Sequence, residues 1–133
     1  MAKLGKYKRH STPSDLHMQD WWRKAVRVLW AGRCAMNDPR CQGDLQCHHV
    51  EKRRYGILKH DPRNGILLCE FHHAYAETAA GRREVDALVD SEYLAERGAH
   101  DYKQWLIEQG MSRGEHYRRL LAELKRIAKE RID

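Results

Sequence analysis

Cys47-His48-His49, followed by Asn64-Gly65-Ile66-Leu67-Leu68-Cys69-Glu70-Phe71-His72-His73, is the stretch on which the fold turns. Cys34 and Cys41 stand just upstream of it. All four cysteines and five of the nine histidines (48, 49, 60, 72 and 73) therefore fall between positions 34 and 73. Pro39, Gly43, Gly56, Pro62 and Gly65 punctuate this region and argue against a helix. Two short apolar segments, Leu45 to Val50 and Ile66-Leu67-Leu68, predict the strands of a small hairpin. The connection from Glu51 to Gly65 is long for a hairpin loop, and loops of that length are commonly functional.

The donors in this stretch suit two kinds of chemistry. A closed tetrahedral metal site takes four Cys or His ligands, usually arriving as two close pairs. Cys34 with Cys41 supplies one pair and Cys69 with His72 the other, which predicts one structural zinc. Cys47 is the rival ligand, but alternation along a strand points Cys47 and His48 to opposite faces. If His48 faces a reaction site, Cys47 faces away from it. The competing reading is four buried, reduced cysteines packed as small hydrophobes. Zinc is favoured because the ligand pairs flank a hairpin too small to hold itself together. A hydrolytic metal site instead needs few protein ligands, open positions and a base that titrates near neutrality. His48, His49 and His73 meet that need, and Asn64 at the end of the long loop can hold a ring or the loop backbone in place.

Composition bounds the rest. The 133 residues fit one domain, with 41% hydrophobic and 33% charged side chains. No run of about 18 apolar residues exists, so no membrane span or membrane partner is expected. The N-terminus is basic without the apolar run of a signal peptide, which predicts a cytoplasmic protein with unlinked cysteines. The net charge is +6, unevenly spread: residues 1–60 carry +8 and residues 61–133 carry −2. A basic front half points to a polyanionic partner such as nucleic acid, against the plainer reading of a solvated charged surface.

The predicted organisation is a single α+β domain, mostly helical, spanning residues 1–133. It divides into a basic arm (1–11), an N-terminal helix (12–32), a zinc-bound core (33–80) and a helical extension (81–133). Thr12 is the expected N-cap of the first helix, with Pro13 in its first turn and Gly32 at its end. Trp21, Trp22 and Trp30 read as packing residues. Helices are predicted over about 70–80, broken near Gly81, then about 82–97 and 100–109. Ser112 opens a last helix whose Tyr117, Leu120, Leu121, Leu124, Ile127 and Ala128 form one apolar stripe. That stripe reads as core, with dimerisation as the alternative.

The spacing His49-x14-Asn64-x8-His73, ending in Leu68-Cys69-x2-His72-His73, resembles the HNH endonucleases. More closely, it resembles members that build a ββα-metal motif on a zinc-binding, treble-clef-like scaffold. The resemblance covers about residues 34–77. It implies that His49 is the general base and that Asn64 orients His49 or steadies the loop. It implies that His48 and His73 hold a catalytic divalent ion (Mg²⁺, Mn²⁺ or similar), and that Cys34, Cys41, Cys69 and His72 hold one structural Zn²⁺. The family usually has Cys where His72 stands. Glu77 occupies the place where some relatives carry a further histidine.

The implied reaction is hydrolysis of DNA phosphodiester bonds, by nicking or cleavage, to a 5′-phosphate and a 3′-hydroxyl. General base action is worth roughly 10²–10⁴-fold in such a step. Lys52-Arg53-Arg54, with Lys59 and Arg63 on the same loop, would bind the DNA backbone without reading sequence. A short chain with a basic arm leans toward a phage or prophage nuclease. The alternative readings are a zinc module that binds nucleic acid without cutting it, and an adaptor. An adaptor would meet a second copy or a DNA-processing protein through its C-terminal helices.

Overall fold

A computed structural model describes residues 11–52 and 56–130 of the chain. The basic arm up to His10, and Arg53 and Arg54 of the expected DNA-binding run, lie outside the described residues. The described residues form an α+β, mostly helical fold of six helices and one two-stranded antiparallel sheet.

Helix α1 runs from Asp15 to Leu29. Its N-cap is Ser14, not Thr12: Ser14 is extended and its hydroxyl accepts the His17 N–H at 3.1 Å. Ser14 and Asp15 both fit a helix start, and the later start leaves the Asp15 carboxylate to accept a 2.7 Å hydrogen bond from the Tyr117 hydroxyl. Met18, Trp22, Ala25 and Val26 fall on one face at helical spacing and are fully buried. Trp22 and Trp30 are packing residues as the sequence suggested, and both indole N–H groups are satisfied. They donate to the Asp61 and Gly65 carbonyls at 2.9 and 3.0 Å.

Strand β1 (Leu45–His49) pairs with β2 (Gly65–Cys69), from Leu45 opposite Cys69 to His49 opposite Gly65. A lone two-stranded hairpin is marginal in water. Here β2 is buried along its whole length, with α1 behind it and the Cys/His cluster at its end. Gly65 sits where α1 comes closest: a Cβ there would lie 2.3 Å from Val26 Cγ2 and 2.8 Å from Trp22 Cζ2.

The helices after the sheet differ from expectation in their breaks. Helix α2 (Glu70–Tyr75) stops five residues short of the predicted end, because Thr78 takes over as the cap of α3 (Ala79–Leu88). The Thr78 hydroxyl accepts the Gly81 N–H at 3.0 Å. Gly81 is thus inside a helix; it is glycine because a Cβ would fall 1.9 Å from the Tyr75 carbonyl oxygen. The single helix expected over 82–97 is two, since Asp90 caps α4 (Ser91–Gly98) through the Tyr93 N–H. Helix α5 (Tyr102–Gln109) ends at Gly110 in the left-handed region, and Ser112 caps α6 (Arg113–Ala128) as predicted. The α6 stripe packs on α1: Tyr117, Leu124 and Ile127 join Met18, Trp22, Ala25 and Val26 in one cluster. Each large apolar side chain fully buried this way contributes about 1.5–3 kcal/mol. No helix among the described residues is long and apolar enough to cross a membrane.

Candidate metal centre and histidine cavity

Cys34 precedes β1, Cys41 lies in the turn before it, Cys69 ends β2 and His72 falls in the first turn of α2. Their ligand atoms all lie within 4.8 Å of one another, so the four could hold a metal ion such as zinc. His72 Nδ1 stands 3.5, 3.6 and 3.2 Å from the sulfurs of Cys34, Cys41 and Cys69. Metal–sulfur and metal–nitrogen bonds of the usual zinc lengths in a tetrahedron give an S···N edge of about 3.6 Å.

The surroundings suit anionic sulfur. The Gln42 and His72 N–H groups both donate to Cys69 Sγ at 3.4 Å. Burial opposes ionisation of Cys69, but these N–H groups and the His72 ring outweigh it and bring the thiol down to about 6. Cys41 goes the other way: burial, with the Cys34 sulfur beside it, pushes it up to about 11. A bound cation would reverse that. On the far side of the ring, His72 Nε2 donates to Asp38 Oδ2 at 3.1 Å. This fixes the tautomer and aims Nδ1 at the sulfurs, the usual carboxylate–histidine arrangement behind a metal. Arg40, 2.7 Å from Asp38, holds that carboxyl well below the usual carboxylate range.

One residue further along α2 the environment changes. His73 is half-buried and opens on a cavity of about 530 Å³ that Cys47, His48, His49, Lys52, Glu77 and Arg82 also line. The His48 and His73 rings stand edge to face with centroids 5.1 Å apart. A metal–nitrogen bond of the usual length puts an ion about 3.2 Å from each ring centre. The two rings are therefore close enough to share one. Burial, then the charge of His73, lowers the pKa of His48; Arg82 and Lys52 act the same way and Glu77 opposes them. The shift favours the neutral imidazole, the form that ligates metals.

His49 is held from two sides. Its ring stacks on Trp22 with centroids 3.9 Å apart and planes 5° from parallel. Its Nε2 is 3.0 Å from the Lys59 carbonyl oxygen. A carbonyl only accepts, so Nε2 carries a hydrogen, and in the neutral ring Nδ1 carries the lone pair. Asn64, with no exposed surface, pins the loop that presents Lys59. Its Oδ1 accepts the Glu51 N–H at 2.7 Å, and its Nδ2 donates to the Glu51 and Leu58 carbonyls, both at 3.1 Å.

The structure thus brings His48, His49, His73 and Lys52 to one cavity and Asn64 to the loop behind it. Cys47 lies on the α1 side, its sulfur 3.6 Å from the Arg23 carbonyl, yet it also borders the cavity it was expected to turn from. Lys59 and Arg63 do not line it. Lys59 pairs with Asp15 of α1 at 3.3 Å, and Arg63 lies 3.6 Å from Asp61 and stacks on Tyr93. Arg82, Glu77 and Trp22 belong to the site, and the sequence reading gave them no chemistry. Glu77 alone carried a signal, one helical turn beyond His73. Comparison with protein-family models, curated proteins and solved structures gives no match to this chain.

Proposed function

We propose that the protein is a metal-dependent HNH endonuclease that hydrolyses DNA phosphodiester bonds, built on a zinc-stabilised, treble-clef-like core. The observation that carries this reading is the pairing of His48 and His73 across a cavity whose third histidine has a fixed tautomer. Cys34, Cys41, Cys69 and His72 would hold the structural zinc. His48 and His73 would hold the catalytic divalent ion, which when bound supplies Lewis-acid stabilisation of the charge growing on the phosphate and leaving oxygen.

The chain's own residues do the rest. His49 Nδ1, bearing the lone pair, takes the proton of the attacking water. The Lys59 carbonyl stabilises the imidazolium that forms, because it already accepts from Nε2. Trp22 fixes the plane of the ring. Asn64 holds the backbone at Glu51 and at Leu58, next to Lys59. The arrangement has the form of a base oriented by a second group.

The test is conversion of supercoiled plasmid to open circle by zinc-loaded protein, with Mg²⁺, Mn²⁺, Ni²⁺ or added Zn²⁺ and a chelator control. Nicking with Mg²⁺ or Mn²⁺, reduced at least 100-fold in His49→Ala at unchanged circular dichroism, is the expected result. Unchanged nicking in His49→Ala removes it as the base. DNA binding with one zinc per chain and no cleavage under any metal replaces the nuclease with a zinc-containing binding module.

A further inference from the structure

A second cavity, of about 190 Å³, shares no lining residue with the histidine cavity. Three arginines from three segments line it: Arg63 just before β2, Arg97 on α4 and Arg119 on α6. The rings of Tyr93 and Trp105 belong to the same wall. The Arg63 guanidinium lies over the Tyr93 ring, 3.9 Å from its centroid. That of Arg97 lies over both rings, 5.3 Å from Tyr93 and 5.9 Å from Trp105. An aromatic face holds a guanidinium by its plane and leaves the N–H donors along its edge free. Two cations resting on one ring also repel each other, and a bound anion offsets that repulsion.

The carboxylates nearby do not use up these donors. Asp61 and Glu123 line the cavity. Asp61 is buried and committed to the fold: its Oδ2 accepts the Tyr93 hydroxyl and its Oδ1 accepts the Arg63 backbone N–H at 2.9 Å. The Arg63 side chain lies 3.6 Å from it. Asp61 thereby anchors the ring on which both guanidiniums rest. Arg119 meets Glu115 at 3.3 Å, an exposed pair of the weak kind. Arg97 pairs with the exposed Glu96 at 3.5 Å, a carboxylate that His100 also meets at 2.8 Å. Even so, Arg97 Nε is buried and, among the described residues, has no hydrogen-bond partner. A buried donor without an acceptor is uncommon in a folded protein and calls for one.

We propose that Arg63, Arg97 and Arg119 form a phosphate-binding site, separate from the histidine cavity, with Tyr93 and Trp105 as the plates that hold two of its guanidiniums. Guanidinium forks match the oxygens of a phosphate, and forks already stacked lose little freedom when it binds. The phosphate is that of a nucleic-acid strand or of a small free phosphate; the recognising chemistry is the same, and the experiment separates the sources. The site does not rest on the nuclease reading, because none of its residues borders the histidines.

The experiment follows the arginine Nε–Hε resonances of zinc-loaded, nitrogen-15-labelled protein at constant ionic strength and mildly acidic pH. One arm adds inorganic phosphate alone and the other a short DNA duplex. Both use His49→Ala protein without added divalent metal, so that the DNA stays intact. Arg97→Lys and Arg63→Lys identify the two resonances. The expected result is that both move together and saturate, while that of Arg83, exposed on α3, stays in place. Arg119→Gln, exposed on α6, is expected to weaken the binding about tenfold or more with an unchanged melting transition. Movement with the duplex assigns the site to a strand. Movement with phosphate alone assigns it to a small phosphate. Resonances that stay in place in both arms, or that move no more than Arg83, overturn the site. So does an Arg119→Gln protein that binds as tightly as its parent.

Discussion

His72 and His73 are neighbours on one helix and live in different worlds. His72 has no exposed surface; three sulfurs face one of its nitrogens and a carboxylate faces the other. His73 opens on a cavity, with the half-buried His48 ring 5.1 Å away and Lys52, Glu77 and Arg82 around it. The first site is closed and the second is open. A closed shell of four donors leaves an ion no position for anything but protein, which suits folding. A site with two imidazoles leaves positions for water and a phosphate, which suits chemistry. The difference is set by a helix turning about 100° between adjacent residues, so that one histidine faces inward and its neighbour outward.

The contrast can be tested by attacking one site and reading the other. The largest effect belongs to the closed site. Cys69→Ser takes a buried sulfur from the four donors, while the serine hydroxyl can still cap α2 and accept N–H groups, so the change falls on the metal site. Structural zinc contributes on the order of 10 kcal/mol to small folds. The expected outcome is loss of the cooperative thermal transition together with loss of the bound zinc, read by calorimetry and metal analysis. A Cys69→Ser protein that still unfolds cooperatively with zinc bound breaks the comparison.

The converse is smaller in its effect on the fold. His48→Ala takes one of two imidazoles from the open site and leaves the four donors of the closed one untouched. It should retain one zinc per chain and its melting transition while Mn²⁺ binding, followed by electron paramagnetic resonance titration, weakens at least 100-fold. Loss of zinc in this variant would merge the two sites into one. The mildest change is Asp38→Asn. It keeps a group beside His72 Nε2 but removes the charge that fixes the ring, and such outer partners are worth about 10–100-fold in metal affinity. Competition with a coloured zinc chelator reads the shift; an unchanged affinity would mean that the three sulfurs alone orient His72.

Much of the closed site was legible because its information is local. Cys69-x2-His72 spans one strand end and one helical turn, and the Cys34/Cys41 pair needs only to close a loop. The hairpin was legible to within a residue or so, since alternation and flanking glycines report it directly. For Asn64 the sequence offered two roles, holding a histidine ring or holding the loop backbone, and its three hydrogen bonds run to the backbone of Glu51 and Leu58. What was not legible lies across long separations. Nothing near Trp22 announces that it stacks on His49, and nothing near Lys59 announces that its ammonium turns to Asp15. Charge type can be read from a loop sequence, whereas the direction in which a charged side chain turns is decided by distant partners. Gly81 misled for a related reason: propensity treats glycine as a break, while here it lets two backbones meet inside a helix.

Gly65 stands opposite His49 on the sheet, at the point where Trp22 and Val26 press closest. Any side chain there would wedge α1 away and with it the indole that fixes the plane of the His49 ring. A survey of all single substitutions would therefore mark position 65 among the most intolerant in the chain, alongside the histidines, although it carries no functional group at all. Intolerance at that position records a clearance between two elements, and a map of mutational sensitivity would draw the site one residue wider than its chemistry.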